Sequence, residues 1–286
     1  MSKKKKRVLF DIIRIIGLLI AFSVLLYPTV SNYLYEKNSS RTVGYYDESI
    51  AKLTEEEHQV LLDKARIYNQ RLIGNSSVDG DTFHTKDELP KEYEELLNVN
   101  GTGMMGYIII PKINVELPIY HTTAEAVLQS GIGHFPSSSL PVGGETTHAV
   151  LTGHRGLPSK MLFTDLDKIE EEDVFYIKIL GEIFAYQVDQ ILTVLPEEVD
   201  ALQIEQGKDY VTLVTCTPYS VNTHRLLIRG HRIPYEEAEA VAAPKIDTGI
   251  KIPFEVKVLL IGVGILLIII IVWGISRKIR RKKTCD

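Results

Sequence analysis

Two apolar runs stand near the ends of the chain. Between Ile12 and Val30 only Arg14 is charged, and Val258 to Ile275 carries no charge. A bilayer core of ~30 Å needs ~20 apolar residues with some tolerance, so each run has the length of a membrane-spanning helix. Lys3 to Arg7 precede the first run and Arg277 to Lys283 follow the second. Basic residues beside membrane segments stay cytoplasmic, which sets both termini inside and residues 31–255 outside. The first run is longer than the ~7–15 residues of a signal-peptide core, and Tyr27-Pro28-Thr29-Val30 is a poor cleavage site. It reads as a retained anchor.

The pattern between the runs changes twice. Ser31 to Ser49 is polar and mixed, the composition of a stalk. Thr54-Glu55-Glu56-Glu57 is a capping box, and Leu61, Leu62, Ala65, Tyr68 and Leu72 follow at helical spacing, predicting a helix over 55–72. Gly74 to Asp81 is a loop, and Pro90 opens a short helix through Leu97. From Met105 onward the runs are short and rich in Val, Ile, Leu and Tyr. They are Gly106–Ile113, Ala149–Thr152, Val174–Leu180, Ile183–Leu195, Tyr210–Thr215 and Leu226–Ile233. Gly181-Glu182 fits a tight hairpin turn. Thr122-Thr123-Ala124-Glu125 forms a second capping box for a short helix that Gly131 stops. Ile233 to Pro253, with three prolines, is a linker back to the membrane. Short strands with few short helices predict a closed β-barrel or a sandwich.

Charge sharpens this layout. The net charge is −5 over 286 residues, but residues 31–255 hold 19 basic and 35 acidic side chains, net −16. Such a domain repels phosphates, which argues against a nucleic-acid partner. The two cysteines, Cys216 and Cys285, fall on opposite sides of the second apolar run. Cys216 is therefore the only thiol of the exported part, and a lone exported thiol points to intermolecular pairing or a nucleophile. A buried inert cysteine is the plain alternative.

Tyr210 to Val214 is a strand pattern that ends in Thr215-Cys216-Thr217-Pro218, so a rigid element presents the thiol at its end. A thiol attacks carbonyls as thiolate and needs a histidine or nearby positive charge. Among the eight histidines, His154 ranks first by spacing, because it follows the run Ala149–Thr152 and lies between Gly153 and Gly156. Arg225 opens the strand after Cys216, where a guanidinium can stabilise an oxyanion. Arg229 and Arg232 compete for that role. No metal site is expected, since the histidines lack ligand spacing and no CxxC occurs. Gly101 to Gly106 matches GxGxxG but precedes a strand, the wrong context for a nucleotide.

Thr212-Leu213-Val214-Thr215-Cys216-Thr217-Pro218 with Asn222 to Leu226 resembles the sortase signature TLxTC…R, and Leu151-Thr152-Gly153-His154-Arg155 resembles its histidine loop. Gly131 to Phe135, Leu140 to Glu145 and Leu162 to Leu166 are similar to the class C, pilin-polymerising branch. The resemblance implies an eight-stranded barrel with Cys216 as nucleophile, His154 as general acid/base and Arg225 as oxyanion support. Thr215 and Thr217, which flank the cysteine, are the implied substrate-contacting residues. Class C members carry a lid with an Asp-Pro-aromatic motif. Here the place reads Asp81-Thr82-Phe83, without the proline, and Asp81 and Phe83 are the expected plug.

The expected fold is mainly β: a closed eight-stranded sortase-type barrel with short helices, an N-terminal helical extension and a transmembrane helix at each end. The layout is anchor 1–30, stalk, helix and lid 31–98, barrel 99–235, linker 236–255, second span 256–276 and basic tail 277–286. The resemblance implies a two-pass extracellular transpeptidase of the cell membrane. It would cleave an LPXTG-type sorting signal and join pilin subunits by isopeptide bonds, with no cofactor. Its partners are pilins or surface proteins carrying that signal, and the lipid bilayer. Attachment of surface proteins to peptidoglycan, or a non-catalytic membrane adaptor, are the rival functions.

Overall fold

The computed structural model describes residues 3–73 and 90–242, with 260–262, 264, 265 and 268 beyond them. The loop at 74–81, the lid residues Asp81 and Phe83, His84, Cys285, the end of the linker and most of the second apolar run lie outside the described residues.

The first helix, α1, runs unbroken from Lys3 to Ile50 with Pro28 inside it. Its apolar part, Leu9 to Val30, is exposed, and α1 is long and apolar enough to cross a membrane. The expected stalk over 31–49 is instead the second half of this helix. Tyr35, Ser39, Val43, Tyr46 and Ile50 recur at helical spacing and turn toward the barrel. The buried Tyr46 hydroxyl donates to the Met105 carbonyl at 2.7 Å and accepts from the Leu180 amide at 2.9 Å. Burial raises the pKa of this phenol, so it stays a neutral donor. The polar residues between these anchors face solvent, which is why composition alone resembled a stalk.

The second helix, α2, spans Glu55–Leu72 as its pattern predicts, with the reciprocal capping box between Thr54 and Glu57 formed. The third, α3, is Lys91–Glu95 and shorter than expected, because Leu96 turns extended (ψ 133°) and Leu97 follows with a left-handed backbone (φ 61°).

Eight strands follow: β1 Met104–Ile110, β2 Val115–His121, β3 Ile132–His134, β4 Thr147–Thr152, β5 Val174–Ile179, β6 Glu182–Val194, β7 Asp209–Thr217 and β8 His224–Ile233. They close into a barrel in the order β1-β2-β3-β4-β7-β8-β6-β5. Closure removes the long open edges that a flat sheet would offer another chain. Buried Ile108, Ile119, Ile132, Leu151, Phe175, Ile177, Leu213 and Ile228 belong to the main core.

Several expectations are corrected. The run to Ile113 splits, because Pro111 ends β1 and starts a single 3-10 turn. β2 and β3 were absent from the sequence reading. β2 contains Pro118, a residue that suits only strand edges. β3 begins pairing at Ile119↔Ile132, so the missing Pro118 amide falls just short of the ladder. The β5–β6 hairpin turns on Leu180-Gly181, both at positive φ (49° and 83°), one position before the expected Gly181-Glu182. The fourth helix, α4, is only Glu125–Leu128, its N-cap is Ala124, and the predicted box around Thr122 is not made. The linker from Ile233 opens with a fifth helix, α5, Tyr235–Ala242. Its Ala238 is buried with Val174, Tyr176, Ala185 and Ile233.

Candidate active site

Strand pairing fixes where the chemistry-bearing residues lie. β7 and β8 are antiparallel, and in their register Cys216 faces Arg225 and Thr217 faces His224. Directly opposed residues on neighbouring strands project from the same face. Cys216 is half-buried and makes no disulfide among the described residues. Arg225 is anchored through Nη1, which donates to the carbonyls of Asn222 (3.3 Å) and His224 (3.1 Å).

On its other side β7 runs parallel to β4, with Thr152 level with Val214. The chain leaving β4 stays fastened to β7: the Gly153 amide donates to the Val214 carbonyl at 3.0 Å. The Thr215 hydroxyl donates to the Gly153 carbonyl at 2.7 Å. One residue further is His154, level with Cys216 if the register is carried on. A Cβ at Gly153 would lie 2.6 Å from Ile132 Cδ1 and 2.8 Å from the Phe163 ring, so only glycine permits this fastening. The Phe163 amide closes the loop by donating to the His154 carbonyl at 3.1 Å.

His154, Cys216 and Arg225 therefore lie at one end of three neighbouring strands, β4, β7 and β8. Thr215 is buried with its hydroxyl committed to Gly153. Thr217 accepts from Arg155 Nη1 at 3.3 Å. Arg155, quoted within the histidine motif but given no role from sequence, is 6% exposed and clasps the surrounding loops. Its Nε donates to the Thr164 carbonyl at 3.1 Å, its Nη2 pairs with Asp167, and its guanidinium lies 5.9 Å from the Tyr219 ring centre. Glu125, 29 residues before His154, was also missed as a site residue. Both its carboxylate oxygens lie 3.2 Å from His154 Nε2. No local sequence signal marks such a pair; only the packing of α4 against β3 creates it.

The remaining histidines have other tasks. His134 is fully buried: Nε2 meets the Ser139 carbonyl at 2.8 Å and Nδ1 the Tyr93 hydroxyl at 2.9 Å. His148 bridges the Gln203 carbonyl and the Thr212 hydroxyl, at 2.9 and 2.7 Å. Desolvation pushes their pKa values down to about 3 and about 4. His121 is lowered as well, chiefly by burial. All three are neutral at pH 7. His58 meets the Ile50 carbonyl, and His224 the Thr223 hydroxyl. Of the rival arginines, Arg229 pairs with Asp189 and Arg232 stacks on Phe184 and Tyr186. Among the described residues no His/Cys/Asp/Glu group of metal-holding form occurs.

A Sortase domain model matches residues 108–233. Sortase A of Streptococcus agalactiae is 30% identical over 128 residues, 44% of this chain and 51% of that protein. The chain thus spans about half the length of that curated relative. Sortase A of Bacillus anthracis is 23% identical over 228 residues, 79% of this chain and 95% of that one. Among solved structures, sortase C1 of Streptococcus agalactiae matches with TM-score 0.63 and 47% identity, over 68% of this chain and 98% of that one. Sortase C of Streptococcus pneumoniae, studied for pilin substrate specificity, matches with TM-score 0.64 and 44% identity, over 68% and 97%.

Proposed function

Because this chain belongs to the sortase family of cysteine transpeptidases, with class C structures among its relatives, we propose that it polymerises pilins outside the membrane that anchors it. The observation that carries this reading is the cross-strand pair of Cys216 and Arg225, with the His154 loop fastened beside them.

In this mechanism an LPXTG-type signal lies along the rim with its Thr carbonyl at Cys216. The Cys216 thiol gives its proton to His154 as its sulfur adds to that carbonyl, and the Arg225 guanidinium faces the oxyanion that forms. The Thr–Gly C–N bond then breaks. His154 gives its proton to the departing glycine amine, and a thioester remains on Cys216. A lysine amine of a second subunit attacks this thioester. The new amide forms, the C–S bond breaks, and the amine's proton returns to His154. Splitting one acyl transfer into two steps needs no ATP, which suits an extracellular site.

Thr215 and Thr217 act here through the loops they tie, and Asp81 with Phe83 keeps the lid role that the resemblance implies. The apolar half of α1 is one anchor and residues 256–276 the second, with both termini cytoplasmic and the barrel outside. Peptidoglycan as acceptor is the second reading, favoured by the sortase A relatives. Their identities of 23–30% fall below the 44–47% of the class C structures.

Full-length protein in detergent micelles, incubated with an LPXTG peptide, is expected to gain the mass of the acyl fragment. Cys216→Ala is expected to gain none. An undiminished adduct or undiminished cleavage in Cys216→Ala rejects the reading. With intact substrate, a ladder of covalent oligomers indicates pilin polymerisation, and a single wall conjugate indicates peptidoglycan attachment.

A further inference from the structure

The short helix α4 begins with a carboxylate, Glu125, outside the capping box that the sequence suggested. The sequence placed Glu125 in a capping box with Thr122, but Thr122 has a left-handed backbone (φ 70°) and the N-cap is Ala124. The side chain reaches instead to His154, each of its oxygens 3.2 Å from Nε2. An ionised carboxylate only accepts hydrogen bonds, so Nε2 carries a proton in this contact. In the neutral imidazole, Nδ1 is then the nitrogen left to exchange a proton with the thiol.

Glu125 is itself held from behind. Gln129 Nε2 donates to Glu125 Oε1 at 2.7 Å. Lys160 Nζ donates to the Gln129 carbonyl and, at 3.3 Å, to Gln129 Oε1. Lys160 also lies 5.5 Å from the ring centre of Tyr35 on α1, and the Tyr35 hydroxyl donates to the Ser130 carbonyl at 3.0 Å. A chain of polar contacts thus leads from α1 to the imidazole.

We propose that Glu125 is the positioning residue of His154, fixing the ring's orientation and its Nε2–H tautomer, and that Gln129 and Lys160 brace it against α1. This rests on His154 being the acid/base of the proposed reaction. The pair is open, with Glu125 68% and His154 25% exposed, and open pairs add little to stability. Its effect is therefore read in turnover, not in melting.

The test uses the full chain in detergent micelles with an LPXTG peptide. Glu125→Ala is expected to lower kcat about 10-fold, the scale of a modest misorientation of a reacting group, with KM within about twofold. Glu125→Gln keeps an acceptor oxygen and is expected to recover to within about threefold of wild type. An unchanged kcat in Glu125→Ala, or a loss confined to KM, overturns the proposal; the latter makes Glu125 a wall of the substrate groove. A second readout is independent of turnover. Nitrogen-15 shifts of His154, identified by comparison with His154→Gln, are expected to report the Nε2–H tautomer in wild type and in Glu125→Gln, and a mixture in Glu125→Ala. An unchanged tautomer balance in Glu125→Ala also overturns it. Should wild type form no thioester, the functional reading fails, and the nitrogen shifts still decide the role of Glu125.

Discussion

His134 and His148 lie inside the wall of the barrel, while His154 stands on its rim, and the contrast separates histidines that build the fold from one whose ring stays accessible. Each interior ring has both nitrogens engaged by fixed partners and is shut off from water. A proton added there would lose its hydration, and the pull of Asp189 on His148 does not offset that loss, so these rings stay neutral far into the acid range. His154 is held differently. Its backbone is clamped by Phe163, and the preceding Gly153 is clamped by Val214 and Thr215. The ring itself keeps a solvent-facing side. Rigid main chain with an accessible side chain is what acid–base chemistry at a strand end requires.

Exchanging the two environments gives the largest expected effects. His154→Ala is expected to cut turnover about 1,000-fold, the ordinary range for a lost general acid/base, with a melting temperature near that of wild type. His134→Ala is expected to do the reverse. It removes the ring that the Tyr93 hydroxyl and the Ser139 carbonyl contact and opens a void, costing about 3 kcal/mol of stability. Parallel melting and peptide-cleavage assays on both variants check the contrast. A His154→Ala protein that melts like His134→Ala would erase it.

Acid sharpens the same contrast. His134 and His148 bind protons in the unfolded chain near the ordinary value of 6.5, but in the folded chain only near about 3 and about 4. Their stabilising contribution is complete above pH 6.5 and shrinks as pH falls through 6.5 toward those folded values. Each group costs about 1.4 kcal/mol per pH unit across that window. Asp209, whose pKa burial raises, opposes this trend at the lower, carboxylate end. Unfolding midpoints measured from pH 7 to pH 5 are expected to fall, and less steeply in His134→Gln. A flat profile would mean that the interior rings are wetter than their packing allows.

The smallest effect concerns the seam between wall and rim. Thr215→Val removes the hydroxyl that fastens Gly153 and is expected to cost about 1 kcal/mol. Turnover is expected to fall severalfold through a looser His154 loop while KM holds. A change mainly in KM would instead make Thr215 a substrate contact, as its place in the signature implies.

These differences track how far each feature could be read from sequence. The capping box of α2 is local chemistry, and the helix starts and ends where that chemistry requires. The long runs of β5 to β8 carry strand composition over most of their length, and the loop between β7 and β8 makes the Cys216–Arg225 juxtaposition readable before any coordinates. β3 is only three residues long, too short for any period, and β2 is masked by Pro118. The second half of α1 buries one narrow stripe, and its average composition hides that stripe. Arg155 reaches Thr217 across 62 residues of chain and Glu125 reaches His154 across 29, so these two contacts exist only once the barrel has closed.

The continuity of α1 has one more consequence. No loop interrupts the chain between Lys3 and Ile50, and Tyr46 pins the far end of that rod to two segments of the barrel. At ~1.5 Å per residue, the twenty residues after Val30 rise about 30 Å without a swivel. Whatever grips the apolar end therefore sets the direction in which Cys216 faces as well as its height, as a mast fixes the bearing of a lamp bolted to it.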